Sequence, residues 1–90
     1  MTLQDRVLIP QEVLARHVGE ETVMLHLANG TYYCLDPVGA RVWQLLEQGK
    51  TLTEACDVLR DEYDVPGDQL ERDVLDLVES LSGHGLVVVG

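Results

Sequence analysis

The stretch "NGTYYCLDPVGARVWQLL", residues 29–46, decides the fold. Asn29-Gly30 carries two residue types that tolerate positive φ, so it reads as a two-residue type I′ hairpin turn. Thr31 to Leu35 supplies the β-branched and aromatic residues of a strand. Asp36-Pro37 is an N-cap followed by a first-turn proline, which opens a helix. Along it Val38, Val42, Leu45 and Leu46 form an apolar stripe, Trp43 widens that stripe, and Gly49 stops the helix. A turn, a strand and a capped helix thus follow without a linker. Two tyrosines stand on the strand with no catalytic group beside them.

Upstream, "VLARHV" (13–18) and "ETVMLHLA" (21–28) read as strands separated by Gly19. The second alternates, with Val23, Leu25 and Leu27 on one face and Thr22, Met24, His26 and Ala28 on the other. A two-residue turn sets Leu27 opposite Tyr32, Leu25 opposite Cys34, His26 opposite Tyr33 and Met24 opposite Leu35. Both faces are partly apolar, so one packs on helices and the other calls for a further strand or a partner.

Downstream, "TLTE" (51–54) is a capping box that opens a helix burying Leu52, Ala55, Cys56 and Leu59 and ending near Tyr63. "DVPGD" (64–68) breaks the chain. A third helix, about residues 68–82, aligns Leu70, Val74, Leu77, Val78 and Leu81, flanked by Gln69, Asp73, Asp76 and Ser80. "GHG" (83–85) ends it, and "LVVV" (86–89) is an apolar tail suited to a short strand. The order is α+β and similar to a winged helix-turn-helix, in a single domain over residues 1–90.

The formal charge is −10, with −3 on residues 1–36 and −7 on residues 37–90. Phe is absent, so the core is Leu and Val around Trp43 and the tyrosines. A DNA-reading winged helix would use the third helix, which offers Arg72 against Asp68, Glu71, Asp73, Asp76 and Glu79. That charge repels phosphate, so neither nucleic acid nor an anionic membrane is an expected partner. A neutral or basic partner fits better, although the charge also serves solubility. The N-terminus lacks a secretory signal and no run approaches a membrane span, which places the protein in the cytoplasm.

Cys34 and Cys56 lie in no motif and are expected to be buried structural residues. Cys34 as a nucleophile, with His17, His26 or His84 as base, lacks a helix N-terminus or basic neighbour to lower its pKa. Cys34 and His26 show no metal-ligand spacing. The carboxylates of the third helix read as a solvated face. With no phosphate loop or cofactor fingerprint, neither an enzyme nor a cofactor is expected. What remains is recognition of an extended peptide by strand addition, with Tyr32 and Tyr33 as rigid contact area. The plainer reading makes both tyrosines core-and-rim residues of the sheet.

The order of Gly30, Tyr32-Tyr33-Cys34-Leu35-Asp36, Val42-Trp43-Gln44-Leu45-Leu46, Thr51 to Glu54, and Leu81 with Gly85-Leu86-Val87 closely resembles the PqqD-like family. These are the peptide-recognition elements of pathways that modify ribosomally made peptides. Asp36 stands where many relatives have Asn, which leaves the cap intact. The resemblance covers about residues 20–88. It implies a three-stranded antiparallel sheet packed on three helices, with a precursor's leader peptide added as a strand beside the third strand. Carried onto this chain, the edge is Thr31, Tyr32, Tyr33, Cys34 and Leu35. The opposite wall is Leu70, Asp73, Val74 and Leu77 on the third helix. Length resembles the free-standing proteins of lasso-peptide pathways, which implies a leader peptidase and a cyclase as further partners. Relatives also serve radical enzymes of other pathways. An unpaired edge is equally open to a second copy of the chain, which would give a homodimer.

Overall fold

The computed structural model describes residues 5–89. Five strands and three helices occur in the order β1 (Val7–Leu8), β2 (Val13–Val18), β3 (Glu21–His26), β4 (Thr31–Leu35), α1 (Pro37–Glu47), α2 (Leu52–Glu62), α3 (Gly67–Gly83) and β5 (Val88–Val89). Strands β2, β3 and β4 form an antiparallel sheet in that order, as expected. The apolar tail does pair, and its partner is a segment the sequence did not single out: Val7 faces Val89 and Leu8 faces Val88. Two such short runs carry no periodicity of their own, so only their meeting makes a strand pair.

The helices start where local chemistry dictates. Asp36 Oδ1 accepts from Gly39 N at 2.8 Å, and Pro37 occupies the first turn of α1. Thr51 Oγ1 accepts from Glu54 N at 3.2 Å while Glu54 Oε1 accepts from Thr51 N at 3.0 Å, closing the capping box of α2. Those bonds, the one from the Thr51 backbone foremost, hold the Glu54 carboxyl below its usual range. Helix α3 ends as Leu86 N returns to Leu81 O at 2.9 Å and Gly85 N to Ser82 O at 3.1 Å. Leu81 and Leu86 are both buried by that closure.

Sheet and helices share one core. Val13, Met24 and Leu35 on the inner sheet face join Trp43, Leu45 and Leu46 of α1, Leu52, Cys56 and Leu59 of α2, and Val74, Val78 and Leu81 of α3. Trp43 is fully buried and its Nε1 has no hydrogen-bond partner among the described residues, a cost the ring's apolar burial offsets. Thr22, also fully buried, is satisfied by His17 Nδ1 at 2.7 Å. Val38, expected on the stripe of α1, is 43% exposed, while Gly39 and Ala40 beside it in the first turn are buried. Among the described residues no helix is long and apolar enough to cross a membrane.

The two hairpins correct the turn expected at Asn29-Gly30. Strands β3 and β4 register His26 with Thr31, Leu25 with Tyr32, Met24 with Tyr33, Val23 with Cys34 and Thr22 with Leu35. The connection is therefore a loop over residues 27–30, not a two-residue turn. The side chain of Asn29 accepts from Thr31 N at 2.9 Å, and Gly30 alone of the two takes positive φ, at 70°. A type I′ turn needs both residues there. The pairing slips by two positions, an even number, so every side chain keeps its expected face. The two-residue turn lies instead at Gly19-Glu20, where Gly19 has φ 62° and Glu20 does not, matching type II′.

Candidate functional site

Antiparallel ladders turn successive backbone groups to alternate neighbours. The Gly19-Glu20 turn closes on the Val18–Glu21 pair, so Glu21, Val23 and Leu25 bond toward β2. Thr22, Met24 and His26 then bond toward β4, in agreement with the bond from Gly30 N to His26 O at 2.8 Å. Their partners Leu35, Tyr33 and Thr31 are occupied by β3. Tyr32 and Cys34 are left with their N–H and C=O groups on the free edge, and no strand covers that edge among the described residues. The side chains on this strand divide accordingly. Leu35 is buried and Tyr33 half-buried on the inner face, while Tyr32 at 69% exposure and Cys34 face outward. Burial was expected for both cysteines. Cys34 is exposed and only Cys56 is buried, because α1 packs on the inner face of the sheet alone. Burial, and next the charge of Glu71, push the Cys56 thiol pKa up and keep it protonated.

Leu70, Asp73, Val74 and Leu77, one side of α3, line a cavity of about 160 Å³ together with Val38, Val42, Tyr63 and Val65. The four on α3 are the wall that the family resemblance implies, and the four opposite lie outside it. By sequence Val38 and Val42 belong to the apolar stripe of α1, and Tyr63 and Val65 to a helix end and a breaker. No local signal places them here. Asp73 is exposed at the mouth of an otherwise apolar lining.

No β4 residue lines that cavity, so the two halves of the expected site are adjoining and not merged. They are joined at two points along β4. At one end Leu35 leads through Asp36 into Pro37 and Val38. At mid-strand, the Tyr33 ring meets His84 edge-on, centroids 5.2 Å apart, just past the end of α3. His84 Nδ1 lies 2.8 Å from Ser80 O, a carbonyl that requires the proton on that nitrogen. A side chain at Gly85 would come within 3.4 Å of His26 Nε2, so this corner is closely packed.

Helices α1 and α2 are braced against each other by an ion pair. Arg41 Nε lies 3.0 Å and Nη2 2.7 Å from the two oxygens of Glu62, a bidentate clasp between α1 and the end of α2. It raises the Arg41 pKa and, chiefly by those hydrogen bonds, holds the Glu62 carboxyl below its usual range. On the outer sheet face Leu14, Arg16, Val18, Val23, Leu25 and Tyr32 border a broad, shallow concavity of about 640 Å³.

This geometry was compared with known proteins. The family described as Coenzyme PQQ synthesis protein D (PqqD) matches residues 21–87. Two solved structures align over nearly the whole chain. The structure of TbiB1 in complex with the TbiA(beta) leader peptide is 41% identical, covers 89% of this chain and 93% of that one, and has a TM-score of 0.87. That of lasso peptide synthetase B1 complexed with the leader peptide is 26% identical, covers 92% and 98%, and has a TM-score of 0.85. No curated protein matches. The chain belongs to the PqqD family.

Proposed function

We propose that this PqqD-family chain binds the leader region of a ribosomally made precursor peptide as a strand added along β4. It then presents that precursor to a separate leader peptidase and cyclase of a lasso-peptide pathway, with no bond chemistry of its own. The observation that carries the reading is the likeness, at 41% identity and a TM-score of 0.87, to a protein whose structure holds a leader peptide. The open backbone groups of Tyr32 and Cys34 supply sequence-tolerant hydrogen bonds. The cavity between α1 and α3 selects an apolar leader side chain, and Asp73 at its mouth favours a neighbouring Lys or Arg.

The family's description also covers quinone-cofactor synthesis, where PqqD-like relatives serve radical enzymes. The likeness to lasso peptide synthetase B1 favours the first assignment. A DNA-binding regulator is disfavoured by α3, whose lone base Arg72 stands among five acids.

The test is a fluorescence-polarisation titration of labelled leader peptides from precursors encoded beside this chain. Saturable binding that scrambling abolishes is expected. A folded protein that binds none of them would return the β4 edge to a purely structural role.

A further inference from the structure

The geometry points to a second leader subsite, beyond the apolar cavity, that takes a cationic side chain of the same precursor. The inference rests on the leader-binding reading above. A second concavity, about 470 Å³, lies beside the first and shares Val38 and Tyr63 with it as a common ridge. Its remaining walls are Gly19-Glu20 from the β2–β3 turn and Pro37, Ala40, Arg41 and Gln44 from α1.

Its position follows from the sheet. Thr22 pairs with Leu35, so the turn that precedes β3 and the end of β4 occupy the same end of the sheet. A strand lying along β4 and continuing past Leu35 arrives at Pro37 and Val38, where the two concavities meet. One side of the ridge is apolar. The other is polar, and its charge is lopsided. Arg41 is neutralised by the bidentate clasp of Glu62 and also donates to Gln44 Oε1 at 3.2 Å. Glu20 is exposed and has no partner among the described residues. The uncompensated charge at this subsite is therefore a carboxylate, in a protein of net charge −10. A Lys or Arg of the leader fits it, since such a side chain lays its apolar stem over Val38 and Tyr63 and carries its charge to Glu20.

The test compares Glu20→Lys with Glu12→Lys, an identical charge change beside Val13 at the opposite end of the β2–β3 hairpin. Each is titrated with the labelled leader of the precursor encoded beside this chain, and with versions in which each leader Lys or Arg is replaced by Ala. Glu20→Lys is expected to bind about two- to fivefold more weakly than Glu12→Lys at low salt. One Ala-substituted leader should erase that difference. Equal affinity of the two variants, with the unaltered protein still binding, would overturn the second subsite and leave leader binding standing. Failure of the unaltered protein to bind would overturn both.

Discussion

The sheet has two edges, β2 and β4, and they are treated differently. On β2 the outward backbone groups belong to Val13, Ala15 and His17. Val13 N is already bonded to Pro10 O at 3.2 Å, while Ala15 and His17 leave their outward groups open among the described residues. Arg16 adds a charge on the same strand. Strand β4, "TYYCL", carries no charged side chain, and nothing satisfies its outward groups among the described residues. Charged and capped edges are how folded chains avoid unwanted pairing. The contrast teaches that an edge left bare, beside an apolar cavity, is the one to examine for a strand-forming ligand.

Proline substitutions break the comparison most sharply. Tyr33→Pro removes an N–H that bonds to β3 and a half-buried ring. It should cost about 3 kcal/mol, seen as a large fall in Tm or loss of cooperative unfolding. Cys34→Pro removes an N–H that faces outward, which an edge strand tolerates. It should keep Tm within a few degrees while weakening leader binding by about tenfold or more, the worth of a hydrogen bond plus the ring's intrusion. Ala15→Pro deletes an outward N–H from the other edge, and leader affinity should stay within about twofold. Equal losses from the two edge prolines would refute the assignment of β4.

Smaller effects sharpen the picture. Leu77→Ala removes part of the cavity wall at a half-buried site, and should lower affinity several-fold at a stability cost of about 1–2 kcal/mol. Asp73→Lys should leave Tm unchanged and weaken binding of a basic leader about two- to fivefold, more at low salt than at high. The smallest concerns pH. The Glu62 carboxyl has a folded pKa below its unfolded value, so its pairing with Arg41 stabilises fully above the unfolded pKa, roughly 4.3, and is lost as pH falls through the folded value. Both partners are partly exposed, so the contribution is at most about 1 kcal/mol. Thermal melts of Glu62→Gln and the unaltered protein should differ at neutral pH and converge in acid.

Much of this protein was legible from sequence because much of it is local. The caps at Asp36 and Thr51, the stop at Gly85 and the face of every residue in β3 and β4 follow from backbone chemistry and alternation. The family pattern follows from the order of those same elements. The acidic face of α3, and with it the case against nucleic acid, is likewise written in residues 68–79.

Tertiary structure decided what depends on distant partners. Asn29 has two ways to serve a turn, by positive φ or by its side chain, and the folded hairpin uses the second, with the register that goes with it. The exposure of Cys34 follows from helices covering one face of the sheet only. The strand pair of β1 and β5 joins segments about 80 residues apart, and only the second stands out in the sequence as an apolar run. The cavity takes half its wall from α1 and from the break after α2, residues whose sequence says only that they are apolar. Sequence sets which way a side chain points within its own element; only the docking of elements sets what it points at.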